Sequence, residues 1–263
     1  MKRDGHIHTP FCPHGSKDSL NRYIEAAIEQ GFQEITFTEH APLPEGFVDA
    51  APTKDSAMKL SDMEKYVNAV QQIQQEYKQD LTIRLGLEVD YIEGFEKETT
   101  NFLNEYGSYL DDSILSVHFL KQNQTWYCLD YSPDVFAEMM TAFGSVSAIY
   151  QSYFAAVHQS ILANLGAYKP KRIGHITLVH KFQKKFPCPQ DFSAEIDAIL
   201  QKVKLLHYEL DYNGAGVMKP LCGETYPPAQ IAAKAKEMGI PLIYGSDAHA
   251  AKGIGQGLEQ IQA

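Results

Sequence analysis

Along the chain, the spacing of apolar and polar residues switches repeatedly between a period of two and a period near 3.6. Arg3 to His8 reads as a first strand, ended by Pro10 and Pro13. Leu20, Tyr23, Ile24, Ala27 and Ile28 form one stripe of a helix over about 20–30, and Gly31 suits its C-cap. Glu34–His40 alternates as a second strand. About twenty residues rich in Pro, Ala and Gly follow, and a loop of that length is usually functional. Ser61 with Glu64 reads as a capping box opening a helix lined by Met63, Val67, Val70, Ile73 and Tyr77.

The same reading continues to the end of the chain. Thr82–Tyr91 is a third strand, 95–106 a helix and Ser113–Phe119 a fourth strand. An irregular or hairpin segment spans 121–129, and one or two helices fill 133–165. Arg172–Ile176 is a fifth strand, followed by a loop with Lys181, Lys184 and Lys185 and a helix over 193–205. Tyr208–Asn213 is a sixth strand. Pro227 and Pro228 start a helix that Gly239 ends, and Leu242–His249 is a seventh strand. Strands alternating with helices imply parallel strands joined by crossovers. Seven such units predict an α/β fold, a seven-stranded TIM-like barrel one unit short of eight, with an open doubly wound sheet as the competing topology. No linker or low-complexity stretch interrupts 1–263, so one domain is expected. The chain after His249 is short and carries Gly253, Gly255 and Gly257, which predicts a seam that is partly open.

Composition narrows the function classes. With 263 residues, 44% hydrophobic and 21% charged, this is the make-up of an ordinary globular protein. The net charge of -10 argues against a nucleic-acid or membrane-surface binder, because the overall field repels phosphate. Four dispersed cysteines with no Cys-x-x-Cys pair argue for reduced thiols. No apolar leader or membrane-length run is present, and a cytoplasmic location is expected.

The histidines carry the chemistry. His6 and His8 lie two apart on a strand and therefore face one side, where neutral imidazoles can chelate a transition metal. A solvated histidine-rich tail is the alternative for that pair alone. His40, Glu88, His118, His175, Asp247 and His249 also fall at or near C-terminal strand ends, and His14 lies just past the first strand. In a parallel barrel, that rim is where active sites are built. Seven of the ten histidines thus share one structural position, whereas His158, His180 and His207 fall in helices or loops. Nine such groups exceed the needs of one ion and suit two or three divalent ions (zinc, iron or manganese), with Glu88 as a bridge. Three dications against two carboxylates would leave about +4, enough to hold a phosphate dianion inside a negative protein. That chemistry points to metal-assisted hydrolysis of a small-molecule phosphate monoester.

The motifs Asp4-Gly-His-Ile-His-Thr9, Glu39-His40, the lone Glu88, His118, Gly174-His175-Ile176 and Ser246-Asp247-Ala248-His249 resemble the polymerase-and-histidinol-phosphatase (PHP) superfamily. Thr9–Gly15 and Arg172–His180 are most similar to its monofunctional histidinol-phosphatase branch. The resemblance covers essentially the whole chain and implies a distorted (β/α)7 barrel that hydrolyses L-histidinol phosphate in histidine biosynthesis. It implies His6, His8, Asp247 and Glu88 around a first metal, His118, His175 and Glu88 around a second, and His14, His40 and His249 around a third. A hydroxide bridging the metals would attack phosphorus, with Asp247 orienting it or receiving its proton. Arg172 is the first candidate for the remaining phosphate oxygens, because guanidinium forks match phosphate, and Lys181 is a second. Glu45, Phe47 and Asp49 of the long loop are candidates for the ammonium and imidazole of the substrate. On the same metal site, a nuclease or nucleotide phosphatase and a phosphotyrosine-protein phosphatase are the alternatives. A metal-binding protein without catalysis is the alternative from another class.

Overall fold

A computed structural model describes residues 2–262. The elements are β1 (Arg3–Ile7), α1 (Leu20–Glu29), β2 (Glu34–His40), α2 (Met63–Glu76), β3 (Thr82–Asp90), α3 (Glu96–Tyr106), β4 (Ile114–Ser116), β5 (Phe119–Gln122), β6 (Thr125–Cys128), α4 (Pro133–Phe143), α5 (Val146–Leu162), β7 (Arg172–Ile173), α6 (Ser193–Leu205), β8 (Glu209–Asn213), α7 (Ala215–Met218), α8 (Ala229–Glu237), β9 (Leu242–Gly245) and α9 (Leu258–Gln262). The main sheet runs β1-β2-β3-β4-β7-β8-β9, every neighbouring pair parallel, while β5 and β6 form a separate antiparallel hairpin. β1 then meets the segment that follows β9 through the parallel bridge of Ile7 with Ala248. The sheet is therefore a distorted seven-stranded (β/α)7 barrel, nearly closed, and not an open doubly wound sheet.

The seam is held by backbone from the Ser246–Ala248 segment and by one buried carboxylate. Asp247 N–H donates to the His6 carbonyl at 2.7 Å, and His8 N–H to the Ala248 carbonyl at 3.0 Å. Asp4 Oδ1 accepts from Ser246 N–H at 2.9 Å and from His6 N–H at 3.3 Å. Burial raises the Asp4 carboxyl to about 6. The short C-terminal segment also braces this region, because Gln256 Nε2 donates to the Ser246 carbonyl at 2.6 Å.

The helices pack one apolar face against the sheet, as the 3.6-residue period requires. From α1, Tyr23, Ile24 and Ala27 are fully buried, and Tyr23 meets Phe37 of β2 edge to face. From α2, the buried Tyr66 hydroxyl donates to the carbonyls of Phe37 and Gly86 at 3.0 and 2.7 Å, tying the helix to two strands. Among the described residues, no helix is long and apolar enough to cross a membrane.

Local departures from the sequence reading have local causes. Leu60–Asp62 forms a 3-10 turn that draws Ser61 into helical geometry, so no capping box forms at the start of α2. The fourth strand stops at Ser116, because Phe119 opens the β5–β6 hairpin, whose apolar residues pack on Phe47, Phe95 and Ala51. Residues 133–162 divide into two helices at Gly144, whose φ of 87° ends α4, and Ser145 caps α5 by accepting from Ala148 N–H at 3.1 Å. The seventh strand of the barrel, β9, ends at Gly245, and Asp247 adopts φ 53° in the turn beyond it.

Arg172 stands at the start of β7, beside the strand starts that carry Ile114 and Glu209. It is the largest fully buried side chain and pairs with Asp112, which also binds Arg3 and Thr36. Its guanidinium fills the space beside Gly5, where a side chain on residue 5 would collide with it. Gly86 on β3 has a similar constraint, because a Cβ there would run into the backbone carbonyl of Asp112. Backbone cannot yield as a flexible side chain can, so Gly86→Ala is expected to lower stability by about 1–3 kcal/mol. Chemical denaturation monitored by circular dichroism measures this, and an unchanged midpoint would show that the 111–113 loop gives way freely.

Candidate metal centre

Each of the nine groups anticipated at the strand ends has a defined carrier. His6 is on β1 and His8 one residue past it; His40 ends β2, and Glu88 lies beside it on β3, its register partner. His118 and His175 sit two residues beyond β4 and β7, and Asp247 and His249 occupy the turn after β9. His14 is in the turn that follows β1. Parallel strands all end on one side of the barrel, so these side chains converge. They converge beneath a cavity of about 760 Å³ lined by His40, Glu88, His118, His175, Asp247 and His249 among others.

Glu88 is the hub. Its Oε1 lies 3.0 Å from His175 Nε2 and 3.7 Å from His118 Nε2. Its Oε2 lies 3.3 Å from His6 Nε2, 3.5 Å from His8 Nε2 and 3.1 Å from His40 Nδ1. The two carboxylate oxygens thus face two different sets of imidazoles. Asp247 Oδ1 lies 3.1 Å from His8 Nε2, 3.8 Å from His6 Nε2 and 3.5 Å from His249 Nδ1. Ligand atoms lie within 4.8 Å of one another in three groups, namely His6, His8 and Asp247; Glu88, His118 and His175; and His8, Cys12, His40 and His249. His14 approaches the third group, its ring centroid 4.9 Å from that of His249 and 5.2 Å from that of His40. The sequence reading missed Cys12, which has no strand-end position. Burial, then the charge of Glu39, pushes the Cys12 thiol well above its usual range.

A set of buried carboxylates aims the imidazoles. An ionised carboxylate only accepts hydrogen bonds, so the ring nitrogen facing it carries the proton and the other keeps its lone pair. His6 Nδ1 donates to Asp211 Oδ2 at 2.9 Å, His118 Nδ1 to Asp90 Oδ1 at 2.8 Å and His8 Nδ1 to Glu39 Oε1 at 3.4 Å. His14 Nδ1 donates to the Asp55 carbonyl at 2.7 Å. In the neutral form of each of these four rings, Nε2 is left as the acceptor. Ser116 Oγ donates to Glu88 Oε1 at 2.7 Å, and Asn213 Nδ2 to Asp247 Oδ2 at 3.2 Å. Gly245 permits the approach of Asp211 to His6, because a Cβ there would collide with both. Asp211 and Asp90 sit mid-strand or at a strand end among apolar neighbours, and only a partner histidine on another strand reveals their purpose. Sequence patterning contains no signal for that pairing.

The buried carboxylates favour positive charge at this centre, from protons on the imidazoles or from metal ions. Burial alone disfavours charge on His6, but Glu88, Asp211 and Asp247 hold its pKa well above the usual range. Against the same burial, Asp247 and Glu39 raise His8 to about 9, and Asp90 and Glu88 raise His118 to about 10. Burial and the neighbouring His8 hold His40 and His249 well below the usual range. Burial opposes ionisation of Glu88 and Asp247, yet the surrounding histidines keep both far below the usual carboxylate range. Nε2 of His6, Nε2 of His8 and Nδ1 of His40 are buried without a hydrogen-bond partner among the described residues. Each such atom costs about 1–3 kcal/mol unless something else engages its lone pair. Imidazole and carboxylate donors in this arrangement fit divalent transition metal ions.

Other anticipated contacts are absent from the cavity. Arg172, at the strand-start end and bound to Asp112, does not line it, so the guanidinium expected on phosphate is instead part of the barrel floor. A residue that begins a strand points into the end of the barrel opposite the mouth. Phe47 packs against Phe95, Phe119 and Trp126, Asp49 accepts from the backbone of Ala51 and Ser56, and Glu45 is exposed. The long loop reaches the cavity through Ala51, Thr53, Asp55 and Ser56 instead. His180 pairs with Glu224 at 2.8 Å, while His158 lies on α5 and His207 follows α6.

A (β/α)7 barrel with histidine and carboxylate donors gathered at its C-terminal mouth defines a barrel protein whose donor groups could hold metal ions. Residues 4–214 match the PHP domain family, and the chain belongs to that family. It is 50% identical over 261 residues to a histidinol-phosphatase of Bacillus subtilis, covering 98% of this chain and 97% of the relative. A crystal structure from Listeria monocytogenes, described as a candidate histidinol phosphatase, superposes with a TM-score of 0.94 at 42% identity, covering 98% of this chain and 99% of that one. A histidinol phosphate phosphatase of Lactococcus lactis, complexed with zinc, L-histidinol and phosphate, shares the fold with a TM-score of 0.68 at 20% identity, over 95% of this chain and 87% of that one.

Removing a carboxylate that orients a metal-binding histidine typically weakens metal affinity 10–100-fold. Asp90→Asn and Asp211→Asn are each expected to weaken zinc binding by about that factor while leaving the fold intact, as read by competition with a chromogenic chelator. Wild-type affinity in both variants would mean that these carboxylates serve packing alone.

Proposed function

We propose that this protein is a metal-dependent phosphomonoesterase, a histidinol-phosphatase that hydrolyses L-histidinol phosphate to L-histidinol and phosphate in histidine biosynthesis. The single observation that carries the reading is Glu88, whose two oxygens face separate imidazole sets under one cavity. The near full-length similarity to the Bacillus subtilis relative supports the choice of substrate. On this reading, residues 1–263 act as one metallophosphatase domain in the cytoplasm.

Two or three zinc, iron or manganese ions are the cofactors. His6, His8, Asp247 and Glu88 hold one, and Glu88, His118 and His175 a second. His14, His40 and His249 hold a third, with Cys12 beside them. When bound, such ions supply Lewis-acid stabilisation of phosphoryl charge and a nucleophilic hydroxide at neutral pH. The chain itself contributes orientation. Asp211, Asp90 and Glu39 fix the tautomers of His6, His118 and His8, so the lone pairs point inward without reorganisation. Asn213 engages Asp247 Oδ2 and leaves Oδ1 toward the centre, where Asp247 orients the nucleophile or takes its proton. Holding the groups in place beforehand removes the entropic cost of assembling them during reaction.

Steady-state assays of the metal-loaded protein on histidinol phosphate, a nucleoside monophosphate, a short oligonucleotide and a phosphotyrosine peptide test the substrate. Histidinol phosphate is expected to give the highest kcat/KM by at least about 100-fold, a margin of about 2.7 kcal/mol. Equal values on all four, or preference for one of the others, would reassign the substrate. Glu88→Ala is expected to lose metal and activity together, and treatment with a chelator to abolish turnover until metal is restored. An active, metal-free Glu88→Ala protein would remove the basis of the reading.

A further inference from the structure

A second cavity, of about 550 Å³, lies between the 3-10 turn Leu178–Phe182 and the first turns of α6 and α8, and shares no lining residue with the first. The turn separates the two, because Leu178 and Lys181 line the cavity over the metal donors and His180 lines this one. Its size suits a small molecule. Phe192, Ile196, Pro228 and Ile231 give it an apolar wall. Tyr150 stacks on His180 with ring centroids 5.5 Å apart and lies 5.7 Å from Phe192. Tyr150 is only 4% exposed, yet its hydroxyl makes no hydrogen bond among the described residues. A hydroxyl so enclosed is costly unless a partner engages it. His180 Nδ1 donates to Glu224 Oε1 at 2.8 Å, which leaves Glu224 Oε2 to accept from another donor. Burial opposes ionisation of Glu224, but bonds from His180 and Gln183 and the charge of Lys184 hold it below its usual range.

We infer that this cavity is a second ligand site, separate from the metal centre, which takes a small organic cation: an ammonium bonded to Glu224 and the Tyr150 hydroxyl, carried on a flat ring that packs along Tyr150 and Phe192. The charge of the wall sets the sign of the ligand. Asp191, Asp197 and Glu224 line the cavity against one lysine, Lys234, and that lysine is already paired with Asp197. Asp191 and Glu224 have no lysine or arginine partner among the described residues, so the local field favours a cation. The first turn of α6, whose dipole would favour an anion, already holds Asp191, which accepts from Ser193 N–H at 3.0 Å and from the Ser193 hydroxyl at 2.7 Å. The ring faces of Tyr150 and Phe192 add attraction for a cation and an apolar surface for the body that carries it. The proposed hydrolysis uses none of these groups.

Tyramine, 4-ethylphenol and 3-(4-hydroxyphenyl)propionate share one ring and carry an ammonium, no charge and a carboxylate, respectively. Titration calorimetry of each into the metal-loaded protein tests the site. Tyramine is expected to saturate a single site with a Kd of about 0.1–1 mM, the range for a ligand of its size. 4-Ethylphenol is expected to bind at least about 10-fold more weakly and the carboxylate more weakly still, because only the ammonium makes a charge-assisted bond to Glu224. Glu224→Gln is expected to weaken tyramine about 10-fold and leave 4-ethylphenol unchanged, and Tyr150→Phe to weaken tyramine about 3–10-fold. Gln230 is exposed on the first turn of α8 at the edge of the cavity. Gln230→Trp is expected to fill the cavity and abolish tyramine binding, with metal content and kcat/KM on histidinol phosphate unchanged. No saturable binding of tyramine, preference for the carboxylate, or wild-type tyramine affinity in all three variants would overturn the inference and leave the proposed reaction standing. Failure of the protein to hydrolyse any phosphomonoester would overturn the reaction alone, because the binding measurement does not depend on turnover.

Discussion

Glu88 is a carboxylate with 1% of its side chain accessible, surrounded by five imidazoles and held ionised. A buried charge of that kind costs on the order of several kcal/mol unless it is paired and hydrogen-bonded. Nothing in the barrel interior dilutes the charge, so the histidines have to be placed to meet it. That requirement explains much of the surrounding structure. The first strand must run beside β2 and also reach the turn after β9, so that His6 and His8 meet both Glu88 and Asp247. The seam between β1 and the 246–249 segment is thus part of the site as well as of the barrel closure.

A second layer of buried carboxylates follows from the first. Imidazoles crowded around two carboxylates could rotate or exchange tautomers, and each has a ring nitrogen that points away from the centre. Asp211, Asp90 and Glu39 occupy those positions, each on a different strand from the histidine it orients. Glu39 is itself fixed by the backbone N–H of Thr9 at 2.9 Å and by the Thr9 hydroxyl. The arrangement costs stability in desolvated charge and returns it as a rigid donor set, which is how functional sites commonly depart from the rules that govern cores.

The two ends of the barrel do different work. At the strand starts, Arg172, Arg3, Thr36 and Asp112 form a polar floor that fills space beside Gly5. At the strand ends, the cavity and its donors face outward. Arginine is suited to either end by its chemistry, and only its place along the strand decides which. Lys181 reaches the mouth because it follows β7, whereas Arg172 begins it.

Much of this protein was legible in the residues themselves. The alternation of periods two and 3.6 carried the element order, because burial on one face imposes that pattern locally. The strand-end histidines and carboxylates announced their convergence, because parallel strands joined by right-handed crossovers all end on one side. What only the tertiary structure decided are relations between residues far apart in the chain. These are the division of Glu88's oxygens between two imidazole sets, the pairing of His6 with Asp211 across 205 positions, the entry of Cys12 into the donor groups and the descent of Arg172 into the floor. Periodicity reports which face of an element is buried. It carries no information on which distant side chain meets it there, since that depends on strand order, register and the close approaches that glycines such as Gly245 allow.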